Sequence, residues 1–255
     1  MHRLVNYDTI AEVYDRRYER SDYSTILRLL LDFVRGGKRL LEIGCGTGQW
    51  LSELTKAGYD VVGLDPSRNM LKTATEKSRQ PELILGCAES VPFGTSTIDR
   101  LFCINALHHF SQKERFMTEA RRVLHNGGGI LIIRLDPHTG LDHWWIYDYF
   151  PQVIDIDKRR CPSTISLRKS MQENGFINWK TIEALHMPVK LSARSALQSG
   201  RLAKNTTSQL TILTDEEYNA GISRLIKDIE LKEAQHKDLT IGADLRLYAT
   251  TAWLR

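Results

Sequence analysis

Residues 39–48 read Arg39-Leu40-Leu41-Glu42-Ile43-Gly44-Cys45-Gly46-Thr47-Gly48. The first half is a short, mostly apolar run of the kind that forms a buried strand, and the second half is rich in glycine. Glycines at alternate positions allow a sharp turn and let a ligand approach the backbone amides closely. The stretch therefore predicts a strand, a tight loop and the start of a helix.

Beyond this loop, short apolar runs alternate with segments of helical periodicity. Asp65 follows a second apolar run, and Ser67 stands where it can cap the next helix. Because each strand is a nearly continuous apolar run, we expect a parallel sheet covered by helices on both faces. The sequence predicts an α/β fold with a doubly wound, Rossmann-like, mostly parallel sheet of seven strands. Helices precede the first strand, and a helical lobe is inserted between the last two.

The composition is that of a globular protein with little excess charge. Of the 255 residues, 42% are hydrophobic and 26% are charged, which excludes wholesale disorder. The 35 lysines and arginines exceed the 31 acids by four, and the longest basic run is Lys158-Arg159-Arg160. Nucleic-acid-binding proteins usually have a stronger basic face, so no nucleic-acid partner is expected.

Several features point to the cytoplasm. No apolar stretch approaches the roughly twenty residues of a membrane span, and the N-terminus lacks the apolar region of a signal peptide. The four cysteines include no C-x-x-C pair, which disfavours a zinc site or a disulfide framework. We expect a cytoplasmic monomer or homodimer with reduced thiols, no metal and no membrane partner.

The glycine loop does not fit two common nucleotide-binding patterns. The dinucleotide fingerprint G-x-G-x-x-G requires a third glycine at position 49, where this chain has Gln49. The phosphate-binding pattern G-x-x-x-x-G-K-[ST] is absent as well. A nicotinamide-dependent oxidoreductase is therefore disfavoured.

Residues 41–48 resemble the first motif of class I S-adenosylmethionine-dependent methyltransferases, most closely the branch that includes the quinone-biosynthesis methyltransferases. Further stretches lie where that family has its motifs, and together they cover about residues 5 to 135. They are Tyr7-Asp8 and Tyr14-Asp15, residues 63–67 with Met70-Leu71, residues 86–93, residues 99–110 and residues 124–129.

The resemblance implies that S-adenosyl-L-methionine is the cofactor and that these motifs bind it. Asp65 is expected to accept hydrogen bonds from both ribose hydroxyls, and Glu42 to favour the ammonium group. Asp65 can also be read as a helix N-terminal acid, Glu42 as an acid at a strand end and Met70 as a core residue. The other expected cofactor-binding residues are Tyr14, Gly44, Cys45, Gly46, Gly48, Pro66, Met70, Cys87, Ala88, Glu89 and Asn105.

One position departs from the family pattern. The loop after the third strand usually has an acid before the alanine, and that acid binds the adenine amino group; this chain has Cys87 there. A thiol is a weak acceptor, so the contact is weakened or passes to Glu89 or to the backbone, while the amide of Ala88 can still donate to the adenine ring.

Methyl transfer from a sulfonium requires alignment of nucleophile, methyl group and sulfur, and a base only when the acceptor carries a proton. His108 and His109 follow the fourth strand and are the candidate bases; they can also cap local backbone. Trp144, Trp145 and Tyr147 are candidates for binding a flat or apolar small-molecule acceptor, although such rings can equally pack the lobe onto the sheet.

We expect a single catalytic domain spanning residues 1–255 that transfers a methyl group to an O, N or C nucleophile of a small molecule. Two alternatives remain open: a non-catalytic S-adenosylmethionine-binding sensor or scaffold, and an RNA or protein methyltransferase. The predicted segments are an N-terminal helical cover (1–36), a cofactor-binding core (37–137), an acceptor-side segment (138–173), the last two strands (174–186 and 243–255) and the inserted lobe (187–242).

Overall fold

The computed structural model describes residues 22–78 and 80–255. Tyr14 and most of the predicted N-terminal cover lie outside these residues. The chain divides into two compact units. We call the first the core unit; its described part comprises residues 22–78, 80–136, 161–185 and 247–255. The second, the lobe unit, comprises Pro137–Arg160 and His186–Arg246 among the described residues.

Strands alternate with helices along the first half of the chain, as predicted. The strands are β1 (Leu40–Ile43), β2 (Val61–Asp65), β3 (Glu82–Leu85), β4 (Ile98–Ile104), β5 (Leu124–Leu135), β6 (His143–Trp144), β7 (Phe176–Ser192) and β8 (Thr240–Leu254). Among the described residues, the two-residue β6 is thus added to the seven strands predicted.

The sheet of the core unit has the strand order β3-β2-β1-β4-β5-β8, and β7 pairs with β8. β1 to β5 run parallel, and β8 runs antiparallel to β5. The order reverses direction at β1 and β4, which is the switch point at which open α/β sheets bind ligands. The predicted doubly wound, Rossmann-like fold is confirmed.

Some of the helices begin at a capping side chain, and others have none. The Ser67 hydroxyl accepts a hydrogen bond from the Met70 amide at 3.1 Å, as its position predicted. The helices are α1 (Ser24–Val34), α2 (Gln49–Lys56), α3 (Arg68–Lys77), α4 (Lys113–Val123), α5 (Trp145–Tyr149), α6 (Gln152–Arg160), α7 (Thr164–Glu173), α8 (Ala193–Gln198), α9 (Ser208–Thr211) and α10 (Asp215–Glu233). Within residues 22–78 and 80–255, none combines the length and apolarity that crossing a membrane requires.

The two units have separate hydrophobic cores. In the core unit, every residue of β1 and β2 is buried, because helices cover both faces of a parallel sheet. In the lobe unit, aromatic residues of α5 and the residue after it pack on aliphatic side chains of α8, α9 and α10. This second core includes Trp145, Ile146, Phe150, Ala193, Ala196, Leu202, Leu210, Leu213, Leu225, Ile229 and Ile241.

The last two strands are longer than the predicted ranges 174–186 and 243–255. β7 continues to Ser192 and β8 begins at Thr240, so the segment between them is 193–239 and carries α8, α9 and α10. The sequence Thr214-Asp215-Glu216-Glu217 has the pattern of a capping box, and the structure confirms it at the start of α10, where Thr214 and Glu217 make side chain to amide contacts of 3.1 and 2.8 Å.

The packing of α10 on Phe150 leads to a prediction about stability. Replacing a helical glycine with alanine usually stabilises a helix by about 1 kcal/mol. At Gly221, however, the new Cβ would lie 2.0 Å from Cε1 of the fully buried Phe150. We expect Gly221→Ala to lower the free energy of unfolding by about 1–3 kcal/mol in urea denaturation followed by circular dichroism. Ser223→Ala, at an exposed position of the same helix, is the control and should not destabilise. Stabilisation by Gly221→Ala would contradict this packing.

Candidate functional site

The loop after β1 is held in a conformation that few residues other than glycine adopt. Gly44, Gly46 and Gly48 have φ angles of +75°, +53° and +71°. The amides of Gly44 and Cys45 both donate to the carbonyl oxygen of Leu64 on β2, at 2.7 and 3.2 Å. These two hydrogen bonds fix the start of the loop to the neighbouring strand β2.

Gly44 is also required by close packing. A Cβ at this position would lie 2.4 Å from Cβ of Ala106, which follows β4. The contact arises because β1 and β4 are adjacent strands whose loops separate at the switch point of the sheet. A side chain at Gly44 would therefore fill the space between the two loops.

The carboxylate of Asp65 joins the ends of β1 and β2. Its Oδ2 accepts a hydrogen bond from the Gly46 amide at 2.8 Å, and its Oδ1 accepts one from the Ser67 amide at 2.9 Å. The residue is 8% exposed, so its orientation is set by these backbone donors. A carboxylate oxygen accepts more than one hydrogen bond, so the group is suited to bind two adjacent hydroxyls as well.

Glu42 is a buried acid near Asp65. It is 1% exposed, and its Oε2 has no hydrogen-bond partner within the described chain. Burial, reinforced by the charge of Asp65, raises the pKa of the Glu42 carboxyl well above its usual range, against an opposing effect from Lys77. A buried carboxyl group with one oxygen that lacks a partner among the described residues suits a positively charged ligand group, so the residues present fit a nucleoside that carries an ammonium.

The loop after β3 gives the predicted adenine residues different surroundings. Cys87 is exposed, whereas Ala88 is buried. Oε1 of Glu89 accepts hydrogen bonds from the amides of Ser111 and Gln112, at 2.8 and 3.1 Å. Partial burial alone would raise the pKa of Glu89, but these hydrogen bonds outweigh it and lower the pKa. The carboxylate thus supports the segment before α4.

The exit of β4 carries the predicted histidines. Asn105 has a φ of +54°, rare for a residue other than glycine, and its amide donates to the carbonyl oxygen of Ile133 at 2.8 Å. His108 and His109 belong to a 3-10 turn whose first residue, Leu107, is buried. The two imidazole centroids lie 3.8 Å apart and both rings are half-buried, which leaves part of each ring accessible.

Two further predicted residues lie near the start of α3, Pro66 just before it and Met70 in its first turn. Pro66 is exposed, and Met70 is buried to 1% exposure. The burial of Met70 agrees with both readings of this residue, as a core side chain and as an apolar surface against a base.

The three aromatic residues predicted to bind the acceptor differ in burial. Trp145 is 8% exposed and packs edge-on against Phe150, so it is a core residue and not an open binding surface. Trp144 and Tyr147 are half-buried and form an edge-on pair with centroids 5.7 Å apart. The Tyr147 hydroxyl donates to Oδ2 of Asp157 at 2.9 Å. The acceptor role of Trp144 and Tyr147 stays a prediction.

Two buried ion pairs were not predicted. At the end of β5, Arg134 lies 3.6 Å from Asp136, which accepts two hydrogen bonds from Thr164 at the start of α7. In the lobe unit, Arg160 binds Asp157 at 2.7 Å. The sequence signal at the first pair was an arginine within the apolar run of β5. No metal-binding group of three or more His, Cys, Asp or Glu occurs in the described part of the chain.

Comparisons with known proteins identify the core unit. Residues 41–132 match the family model described as a methyltransferase domain. The phthiotriol/phenolphthiotriol dimycocerosates methyltransferase of Mycobacterium leprae is 34% identical over 112 residues, which is 42% of either chain. The chain spans about half the length of the curated relatives it matches.

Solved structures share the fold over nearly the whole chain. A structure described as a methyltransferase from an antibiotic biosynthesis pathway of Anabaena variabilis aligns with a TM-score of 0.70 and 24% identity, covering 91% of this chain and 98% of the other. Phosphoethanolamine N-methyltransferase 2 of Haemonchus contortus, in complex with S-adenosyl-L-methionine, aligns with a TM-score of 0.61 and 18% identity over 97% of this chain and 57% of the other. Residues 41–132 of the core unit therefore match a methyltransferase domain, and the fold around them is the Rossmann-like fold of S-adenosylmethionine-dependent methyltransferases.

The close approach at Gly44 yields a prediction with a matched control. Gly44→Ala and Gly58→Ala both place a side chain at a positive φ, at a cost of roughly 1–2 kcal/mol. Only Gly44→Ala also collides with Ala106, because a Cβ at Gly58 meets nothing within 4 Å. Gly44→Ala should therefore reduce the free energy of unfolding by about 1–3 kcal/mol more than Gly58→Ala.

A second substitution tests the cause of that difference. Adding Ala106→Gly to Gly44→Ala removes the Cβ of residue 106, with which the new side chain collides. The double variant should therefore recover part of the lost stability in the same denaturation experiment. Equal losses for Gly44→Ala and Gly58→Ala, with no recovery in the double variant, would contradict the contact.

Proposed function

We propose that this protein, whose core unit matches a methyltransferase domain over residues 41–132, transfers the methyl group of S-adenosyl-L-methionine to a small-molecule acceptor by in-line displacement. The observation that carries the proposal is the fixed carboxylate of Asp65 beside the glycine loop, with Glu42 nearby, whose Oε2 has no partner in the described part of the chain. These groups are complementary to a cationic nucleoside without phosphates, since a carboxylate at this position would repel a phosphate.

Different residues of the chain bind different parts of the cofactor. Asp65 accepts hydrogen bonds from the ribose hydroxyls, and Glu42 balances the ammonium of the methionine part. The backbone of the glycine loop (Gly44, Cys45, Gly46 and Gly48) allows close approach, and Pro66 and Met70 flank the base. Bound there, the cofactor supplies an activated methyl group on a sulfonium.

The adenine end is recognised mainly by backbone. Because Glu89 already supports Ser111 and Gln112, its carboxylate is a poor candidate to replace the missing acid at position 87. The amides of Cys87 and Ala88 are the remaining donors, and the thiol is a weak acceptor. Tyr14 and Asn105 complete the proposed cofactor contacts.

Positioning accounts for most of the expected rate enhancement, because the donor is already activated. An acceptor with a hydroxyl or phenol group also needs a base, for which His108 and His109 are the candidates. Trp144 and Tyr147 are the proposed acceptor-binding rings, and a flat or apolar acceptor suits them. The Mycobacterium leprae relative is named for phthiotriol and phenolphthiotriol dimycocerosates.

Finer points stay predictions. They include the resemblance to the quinone-biosynthesis branch, the monomeric or homodimeric state, the absence of a nucleic-acid partner and the cytoplasmic location. Cys87, which stands in place of the acid usual in the family, favours one second candidate, a cofactor-binding sensor or scaffold without transfer activity. Formation of S-adenosylhomocysteine with any acceptor from a metabolite panel would exclude that candidate.

Binding of S-adenosylhomocysteine tests the ribose assignment. We expect Asp65→Asn to weaken binding by roughly ten- to hundredfold in titration calorimetry, because an amide replaces a charged acceptor of two hydrogen bonds. Asp60→Asn makes the same change at an exposed position just before β2 and should leave the affinity unchanged. If both variants bind like the wild type, Asp65 does not hold the ribose; if the wild type does not bind, the proposed function fails.

The proposed base is tested by acceptor class. With an acceptor hydroxyl identified in the panel, replacing the contributing histidine by glutamine should lower transfer by roughly 10²–10⁴-fold. It should also remove the acidic limb of the pH profile, which arises because a protonated histidine cannot act as the base. We expect the affinity of His108→Gln and His109→Gln for S-adenosylhomocysteine to be unchanged. His138→Gln, at an exposed position, is the control. Full transfer activity in both single variants and in the double variant would exclude both histidines.

A further inference from the structure

Glu42 lies in surroundings that favour its neutral form. It sits in the middle of the sheet, with Gly63 of β2 and Phe102 of β4 beside it in register. The residue is 1% exposed, and its Oε2 has no hydrogen-bond partner in the described chain. A buried carboxylate without donors loses the stabilisation that water gives its charge, whereas a carboxylic acid loses far less.

The charged and titratable groups around Glu42 strengthen this preference. Asp65 on β2 carries a negative charge that disfavours a second one nearby, and the burial of Glu42 acts in the same direction. Lys77 on α3 opposes both effects but is the weakest of the three, and its ammonium lies 3.4 Å from the Gln49 side-chain oxygen. The thiols of Cys45 and Cys103 are buried and also interact with Glu42, and burial raises the pKa of each.

Of the two acids, Glu42 is the one that holds the proton. Asp65 accepts two backbone N–H hydrogen bonds, and donors of this kind stabilise the ionised form of a carboxyl group. The Oε2 of Glu42, by contrast, has no donor among residues 22–78 and 80–255. Two coupled acids keep one proton on the member whose charge is less well stabilised.

We propose that Glu42 is a carboxylic acid in the free protein and becomes a carboxylate when the cofactor's ammonium group binds, so that cofactor binding releases one proton. The inference rests on the proposed function, since it requires the cofactor to bind at this site. The ammonium arrives already charged, the O–H bond of Glu42 breaks, and the proton leaves to solvent. The free protein thus avoids an uncompensated buried charge, and the charge forms only when its partner is present.

The coupling also gives the site a preference among adenosine-containing molecules. When a ligand carries an ammonium group, its attraction to the Glu42 carboxylate offsets the free-energy cost of forming that buried charge. A neutral nucleoside offers no such attraction and leaves the acid protonated. Affinity for the cofactor rises with pH while Glu42 is protonated in the free protein, by about tenfold per pH unit for one released proton. Above the pKa of Glu42 in the free protein, affinity becomes independent of pH.

Calorimetry measures the proton directly. S-adenosylhomocysteine is titrated into the full chain at a pH of about 6, in phosphate and in a buffer with a large ionisation enthalpy. The difference in binding enthalpy gives the number of protons exchanged, and we expect about one to be released. The same experiment with 5′-methylthioadenosine, which keeps the nucleoside but lacks the amino-acid part, should show no release.

Two variants assign the proton to its residue. Glu42→Gln keeps the shape of the neutral acid and should bind S-adenosylhomocysteine without proton release and with no dependence on pH between about 5 and 8. Its affinity at the upper end of that range should be roughly ten- to hundredfold lower than that of the wild type. Glu76→Gln makes the same change at an exposed position on α3 and should keep the release.

The outcomes separate this inference from the proposed function. Binding by the wild type with the same enthalpy in both buffers overturns the proton coupling but leaves the cofactor site in place. Proton release that persists in Glu42→Gln assigns it to another group and also overturns the inference. If Glu42→Gln does not fold or bind, the wild-type dependence on pH and the 5′-methylthioadenosine titration decide. Failure of the wild type to bind S-adenosylhomocysteine at any pH refutes the proposed function itself.

Discussion

The hydrogen bonds between the Asp65 carboxylate and the backbone amides of Gly46 and Ser67 are the interaction on which the candidate site depends. They join the ends of β1 and β2 and fix the glycine loop in a left-handed conformation that would otherwise cost conformational entropy. Hydrogen bonds with one charged partner contribute about 1.5–3 kcal/mol each. The geometry of the site is therefore built in before any ligand arrives, and binding does not have to organise these loops.

The buried charged side chains of the core unit have two kinds of surroundings. Arg134 and Asp136 lie close together, and Asp136 also accepts hydrogen bonds from Thr164, so the two charges oppose each other and the end of β5 is tied to the start of α7. The Nε of Arg134 has no hydrogen-bond partner among the described residues, but the guanidinium charge has Asp136 beside it. For Glu42, no donor from the described part of the chain reaches Oε2. Since an unpartnered buried polar atom is costly, its presence at the switch point of the sheet is best explained by a ligand group that completes it.

The lobe unit has its own hydrophobic core, built around aromatic side chains. Its aromatic residues bury one another around Phe150, and the buried pair of Asp157 and Arg160 holds the hydroxyl of Tyr147 through Asp157. This arrangement uses Trp145 for the core and leaves Trp144 and Tyr147 half-buried. Sequence could not separate these three neighbouring rings, because periodicity is uninformative in a five-residue helix.

The sequence by itself determined the order of elements, the glycine loop, the caps at Ser67 and Thr214, and the acid at the end of β2. These features are local: apolar periodicity, permitted φ angles and capping side chains act within a few residues of one another. Tertiary structure alone decided that Glu89 supports Ser111, that Trp145 is buried, that β7 continues beyond its predicted end and β8 begins before its predicted start, and that one oxygen of Glu42 has no partner among the described residues. Each of these depends on residues that are distant in the chain and meet only when the sheet and helices pack, so no local pattern encodes them.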